Sequence, residues 1–257
     1  MFQRVSGLLL CALSVVYANG QNKDKKKEKN GLFYIAVGSN RIWYSPSNIH
    51  VIRQPATSFD FTLSKVKAKD EGGLIFDTAP QFTYTIGYYS KKWKFGIEYQ
   101  LDHGKYFVTQ DQRVHLKGTI GGVFYDKDTT LGVNFFKMEH SDGANHGFIN
   151  IVKLISLSKK QTLIYPEWLI KGGLGLANPK TNTTINGIHR DDKYHISGYV
   201  IAIESGIRLH IGKYFFANAS LKTSYANYTH FLIAGGYGKQ HWFSGQFNYL
   251  VGGQIPL

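Results

Sequence analysis

The chain has 257 residues, with 30 Lys and Arg against 17 Asp and Glu, for a formal charge of +13. Its single cysteine excludes a disulfide framework and any site built from several thiolates. Beyond the N-terminal stretch no apolar run approaches the ~18 residues of a membrane-spanning helix. The slightly negative mean hydropathy still admits a membrane barrel, in which lipid-facing and lumen-facing residues alternate.

In chain order, Met1 to Arg4 give a short positive start, Leu8 to Val16 an apolar core, and Tyr17-Ala18-Asn19-Gly20-Gln21 a small and polar close. That is the order of a secretory signal, taken as residues 1–20 and cleaved after Ala18 or Gly20. Cys11 falls within it, and Leu10 before Cys11 argues against lipid modification. Residues 21–30, with the Lys/Glu/Asp/Asn run from Lys23 to Lys29, read as a flexible basic leader. An exported protein meets little nucleic acid. Anionic headgroups and polysaccharide phosphates are the expected counter-charge.

From residue 31 the dominant signal is period-two alternation. Phe82, Tyr84, Ile86 and Tyr88 oppose Thr83, Thr85 and Gly87. After Ser90-Lys91-Lys92, Trp93, Phe95, Ile97, Tyr99 and Leu101 oppose Lys94, Gly96, Glu98, Gln100 and Asp102. Later segments put Trp168, Leu174, Tyr199, Ile203 and Leu221 on one face, and Lys171, Glu204, Arg208 and Lys222 on the other. Eight strands are expected, at 32–44, 80–90, 92–108, 145–158, 162–177, 193–211, 213–230 and 241–257. Short turns at 90–92, 158–161 and 211–213 alternate with long connections at 45–79, 109–144, 178–192 and 231–240. Strand-like pieces at Phe59 to Lys67 and Thr129 to Met138 would extend the barrel above the membrane, or raise the count to ten or twelve. The last strand runs to the C-terminus with Phe247, Tyr249, Val251, Ile255 and Leu257 on one face, the pattern read by barrel-assembly machinery. Pro256 must then sit at the strand's end, where no ladder donor is needed.

The fold class is therefore all-β, a closed antiparallel transmembrane β-barrel of about eight strands over 31–257, with long extracellular loops, in the cell outer membrane. A soluble barrel with its apolar face inward is the competing reading. Glycines mixed with charges of both signs on the polar face speak for a narrow, ion-paired lumen instead. Charges that must pair when desolvated would plug such a lumen, so a porin is not expected.

Several stretches in order resemble an uncharacterised family of outer-membrane β-barrel proteins common in Bacteroidetes. They are Gly38-Ser39-Asn40-Arg41 with Trp43-Tyr44-Ser45, Ile49-His50, Phe59-Asp60-Phe61-Thr62-Leu63, and Val66-Lys67-Ala68-Lys69-Asp70. Then come Ile86-Gly87-Tyr88-Tyr89, Asp102-His103, Lys105-Tyr106, Glu139-His140-Ser141-Asp142-Gly143 with Asn145, Pro179-Lys180-Thr181, and His195 with Gly198-Tyr199. The resemblance implies the fold and the compartment, and no activity.

Polar clusters fall at the expected extracellular strand ends. His103, Tyr106, His140, Asp142 and His195 would share one rim and are the candidate ligand-binding residues. The alternative is a hydrogen-bonded network tying loops to the rim. No metal-ligand spacing is present, so neither a metal site nor a cofactor is expected. The enzyme alternative is a lipid A acyl-ester hydrolase with His195 and Ser197 as catalytic pair, placed by period two on one outward face. Its acid is missing: Glu204 faces the lumen, and Asp191 or Asp192 could serve only through loop geometry. The basic loop 45–79, with Arg53, Lys65, Lys67 and Lys69, is the candidate contact for lipopolysaccharide. The expected role is structural or surface-binding, as a monomer.

Overall fold

The computed structural model describes residues 30–53, 59–73, 80–159 and 162–257. The expected signal, and the expected leader up to its last residue, lie outside the described residues. The described residues form fifteen strands: β1 (Gly31–Tyr44), β2 (Ser47–Arg53), β3 (Phe59–Val66), β4 (Ala68–Lys69), β5 (Phe82–Ser90), β6 (Phe95–Val108), β7 (Arg113–Ile120), β8 (Val123–Thr130), β9 (Phe136–Ser156), β10 (Ile164–Pro179), β11 (Asn182–Ile185), β12 (Ile188–Asp191), β13 (Gly198–Ile211), β14 (Phe215–Ile233) and β15 (Gly236–Pro256). No helix occurs among the described residues.

Eight of these strands pair in a circuit, β1-β5-β6-β9-β10-β13-β14-β15, and every pairing is antiparallel. The circuit closes because β15 pairs with β1 from Leu32↔Pro256 to Tyr44↔Ser244. Pro256 is the last strand residue, and beyond it Leu257 N–H still donates to Gly31 O at 2.9 Å. The eight expected strands are thus the eight of the circuit. One end, the lower, carries the turns at 91–94 and 212–214, the end of β9 at Ser156 with the start of β10 at Ile164, and both strand ends Gly31 and Pro256. Lys94 does not join the alternation of β6. It sits in the turn at φ 59 and its N–H donates to Ser90 O at 2.8 Å.

The upper end departs from expectation. Two readings of loops as open connections are corrected to hairpins. Residues 231–240 are not a long loop, because β14 and β15 continue to a tight turn at Ala234-Gly235 (φ 52 and 75). Within 178–192, β11 and β12 form a hairpin on Asn186-Gly187 (φ 50 and 76). A third hairpin, β7–β8, turns on Gly121-Gly122 (φ 59 and 82), and the chain breaks between Leu131 and Phe135 where a strand at 129–138 was expected. Two turn residues with positive φ are the connection whose twist suits a two-residue hairpin.

These upper strands form a lid. β2 pairs with β15 (Gln240↔Ile49 to Tyr237↔Ile52), β3 with β2, β7 with β3, and β8 with β7. One apolar cluster runs from lid residues Ile49, Phe61, Leu63 and Leu116 to barrel residues Tyr106, Phe148, Tyr228 and Trp242. The segment that follows β4 is held to the circuit through Asn40, Arg41 and Asp70, all in the stretches quoted above. Gln81 donates to Asn40 Oδ1 (2.6 Å) and Asp70 Oδ2 (2.9 Å), Ile42 N–H donates to the same Asp70 oxygen (2.8 Å), and Arg41 bonds Gly72 O.

Inward and outward faces have opposite chemistry. Each strand of the circuit bears an exposed branched aliphatic residue: Ile35, Ile86, Ile97, Ile151, Leu174, Ile203, Leu221 and Val251. Ile203 is 70% exposed and Leu174 69%. Outward aromatics flank them: Trp93, Phe95, Tyr214 and Phe215 below, and Trp43, Tyr84, Tyr199 and Phe243 above, with half-buried Tyr225 packed 5.1 Å from the Phe243 ring. Trp168 is also outward, and its indole N–H is satisfied by the Ser205 hydroxyl at 2.8 Å. Lys153 lies outward near the lower end of β9, where a long stem can carry its ammonium to the rim.

The interior is filled in layers. An apolar floor contains Tyr34, Val152, Leu169, Phe216 and Leu250. Gly87 makes room for it, since a Cβ there would lie 2.5 Å from Tyr34 Cζ. Above the floor Lys171 meets Glu98 (2.8 Å) and Glu204 (3.4 Å), and Lys222 meets Asp102 (2.6 Å). Arg208 lies 4.6 Å from the Tyr34 ring and 4.2 Å from the Phe216 ring, with its Nε on Asn218 Oδ1 at 3.0 Å. An aromatic layer then closes the mouth, with Trp242 centred 5.1 Å from Tyr106 and 4.6 Å from Tyr228.

Candidate functional site

The five expected rim residues do not form one site. Tyr106 and His140 come together inside the mouth, with ring centroids 5.5 Å apart and both fully buried. β6 and β9 bring them there, as the pair Tyr106↔His140 after a register shift at Gly104. The Tyr106 hydroxyl accepts from Gln240 Nε2 at 2.6 Å and neighbours Ser47 Oγ at 3.3 Å, and His140 Nδ1 lies 3.1 Å from Thr181 Oγ1. Both residues pack the mouth shut.

His103 and Asp142 stay outside. Asn145 gives an N–H to Asn178 O, which turns its Oδ1 to His103 Nδ1 at 2.7 Å and makes that nitrogen the donor. The ring stacks on Phe82 at 4.5 Å. Asp142 forms an ion pair with Lys180, which also reaches Asp191 at 3.1 Å. The bond from Lys180 holds the Asp142 carboxyl below its usual range, and Asp142 and then Asp191 hold the Lys180 ammonium above its own. His195 stands apart, with its ring 5.7 Å from His230. These contacts knit the lid and the strand ends together, which is the alternative weighed for the same residues.

The expected outward pair on a strand is corrected. β13 begins at Gly198, so His195 and Ser197 lie in the irregular segment before it. Ser197 is buried, and its hydroxyl donates to the backbone oxygen of His195 at 2.9 Å rather than to the imidazole. Asp191 is engaged by Lys180, while Asp192 accepts backbone N–H groups of Ala234 and Gly235. Among the described residues no base bonds the hydroxyl and no acid bonds His195. Ser197→Ala is therefore expected to leave the lipid A of expressing cells unchanged, as read by mass spectrometry. Loss of an acyl chain with the wild type alone would contradict this.

Burial of the His140 imidazole on β9, under the lid, predicts an acid-sensitive mouth. The imidazole lies above the apolar belt, whose first outward residue on β9 is Ile149, and level with β11 (Glu139↔Asn182). Burial, followed by repulsion from His146, pushes its pKa from 6.5 down to about 3. The unfolded segment takes up the proton near pH 6.5 and the folded one does not. Stability is thus complete above 6.5 and falls progressively as pH drops toward 3. Acid titration of Trp242 fluorescence should show the mouth loosening over that window, with a flatter profile in His140→Gln. Identical profiles would remove His140 from the explanation.

The four basic residues expected in loop 45–79 do not converge either. Arg53 donates to Ala234 O (3.2 Å), Lys69 pairs with Glu71, Lys67 bonds Gln112 through its backbone, and Lys65 occupies a positive-φ position (58). Two polar groupings escaped sequence reasoning. His115 is bonded through Nε2 to Asp126 (2.9 Å) and through Nδ1 to Asp128 (3.0 Å), an arrangement only the β7–β8 register creates. These two hydrogen bonds hold the exposed imidazole above its usual pKa. The second is an open groove of about 420 Å³ on the outer face, lined by Asn48, His50, Asn227, Thr229, Lys239 and His241 together with the buried Tyr228 and Gln240.

The architecture is that of an all-β antiparallel barrel with a filled interior and an apolar outer belt. No protein-family model matches the chain, and no curated protein matches it. Among solved structures it is similar to the attachment invasion locus protein of Yersinia pestis, solved in complex with the heparin analogue sucrose octasulfate (10% identity, 88% of this chain and 99% of that one, TM-score 0.33). It is likewise similar to Neisserial surface protein A (10%, 88% and 97%, 0.37) and to the outer-membrane protease OmpT of Escherichia coli (8%, 90% and 99%, 0.36). Likenesses this loose say nothing of substrate or partner.

Proposed function

We propose that this chain is a monomeric outer-membrane β-barrel with a structural or surface-binding role, and that it does not conduct. The observation that carries the reading is the inverted surface. A belt of exposed Ile, Leu and Val residues runs round all eight strands while the charges lie inside. In water such a belt far exceeds the few hundred Å² of contiguous apolar surface that a soluble monomer exposes. In a bilayer each such side chain is stabilised by about 1.5–3 kcal/mol. The closed circuit leaves no strand edge inside the belt, as a bilayer requires.

The lower end, with its short turns and strand ends, faces the periplasm, and the lid faces outward. The secretory signal read at 1–20 and the resemblance to the Bacteroidetes outer-membrane family support the same placement. The outward residues Val251, Ile255 and Leu257 near the C-terminus are the part offered to barrel-assembly machinery, and outer-leaflet lipid and lipopolysaccharide are the expected surroundings. The test is reconstitution of the full chain into vesicles. The protein should float with the lipid and leave planar bilayers without single-channel steps. Sedimentation away from lipid would overturn the membrane reading, and steady ion conductance would overturn the non-porin reading.

A further inference from the structure

From the geometry of the outer groove we propose that it binds a phosphorylated sugar headgroup of an outer-leaflet glycolipid. The inference rests on the membrane placement above and deepens it to one site. The groove begins where the upper aromatic girdle ends. Outward from Phe243 the next position on β15 is His241 and the one after is Lys239, and outward from Tyr225 on β14 come Asn227 and Thr229. Two residues of strand rise roughly 6.7 Å. A bilayer's two headgroup layers add about 10–15 Å to a core near 30 Å, so one or two outward steps above the girdle reach phosphate depth.

Its shape follows from the sheet. β15 changes partner from β1, ending at Tyr44↔Ser244, to β2, starting at Ile49↔Gln240. On its other side the ladder with β14 shifts register between Tyr228 and Phe231. These irregularities open the wall between three strands, and residues far apart in sequence meet there. His50 stands directly across from Lys239, and Asn227 across from His241.

The chemistry is that of an anion and hydroxyl site. Lys239 is exposed and makes no ion pair among the described residues. Among the described residues the one carboxylate bonded to the set is Asp60, which accepts from His50 Nε2 at 2.8 Å and so leaves His50 Nδ1 as an acceptor for a ligand hydroxyl. Asn48 commits its oxygen to Lys65 N–H (2.9 Å), so its NH₂ remains to donate, and Asn227 gives one N–H to the Tyr199 hydroxyl (3.2 Å) and keeps another. Lys239 and His241 suit a phosphate, and the amides and His50 Nδ1 suit sugar hydroxyls beside it. A groove of about 420 Å³ is ample for a phosphate together with a sugar.

The test titrates the full chain in micelles with diphosphorylated lipid A, with its dephosphorylated form and with inorganic phosphate, and reads bound ligand by native mass spectrometry. Wild type should retain the diphosphorylated form at least tenfold better than the other two. Lys239→Ala/His241→Ala should lose that preference, and Lys91→Ala/Lys92→Ala, at the opposite end of the barrel, should keep it. Equal retention of both lipids, equal binding of inorganic phosphate, or equal loss in both double variants would each overturn the site. Vesicle flotation is read on the same preparations after reconstitution into vesicles. A chain that floats without phosphate preference loses only this site, whereas one that does not float loses the membrane reading as well.

Discussion

Lys171→Met is expected to destabilise the barrel by about 3–5 kcal/mol, because it strands two buried carboxylates rather than removing one contact. Lys171 bridges Glu98 and Glu204, and all three side chains are at most 2% exposed. Glu98 also accepts from the Tyr34 hydroxyl (2.9 Å), and Glu204 from Ser220 (2.6 Å), so the loss spreads through a network that links five strands, β1, β6, β10, β13 and β14. Urea unfolding in vesicles measures it. The triple variant Glu98→Gln/Lys171→Met/Glu204→Gln should recover most of the loss, since no bare charge remains. A Lys171→Met barrel within about 1 kcal/mol of wild type would mean that the lumen is solvated. The pore should stay shut in either variant, because Trp242, Tyr106 and Tyr228 still fill the mouth.

Ile203→Arg carries the second large effect, about 2–4 kcal/mol for a cation placed near the bilayer midplane. Ile203 lies near the middle of β13, paired with Gly172 on one side and Thr223 on the other, and points outward. Val133 is similarly exposed, at 57%, but belongs to the lid. Val133→Arg should therefore change stability by no more than about 0.5 kcal/mol, as at an ordinary wet surface. The contrast is what matters. Equal tolerance at both positions, measured by the same unfolding assay in vesicles, would place the belt in water and remove the ground for a membrane role.

The candidate site was less legible than the wall. His103, His140 and Asp142 were visible as polar residues at strand ends, and the structure shows what each holds: Asn145, Thr181 and Lys180. Alternation alone puts Tyr106 on the lumen face with Asp102, and His103 on the opposite one. What the sequence does not announce is the partner: the irregularity after Gly104 takes four positions on β9 against two on β6 and so sets His140 across from Tyr106. Of the lid turns, Asn186-Gly187 and Gly121-Gly122 have the residues that favour two positive φ angles and could have been found by that signal. Ala234 gives no such signal, and its φ of 52 is held by tertiary contacts, among them the Arg53 bond to its carbonyl.

By itself the sequence determined the wall: the segments that form it, most of their limits to within a few residues, and which face carries the charges. These are local properties, because alternation needs only neighbouring residues and a solvent on each side. Only the tertiary structure decided the rest. Closure of β15 on β1, the lid across the mouth, the dispersal of the expected rim site and the groove at Lys239 all depend on pairings between strands distant in the chain. The physical reason is that register between distant strands is set by the summed fit of many side chains across the sheet, and that sum exists only once the barrel has closed.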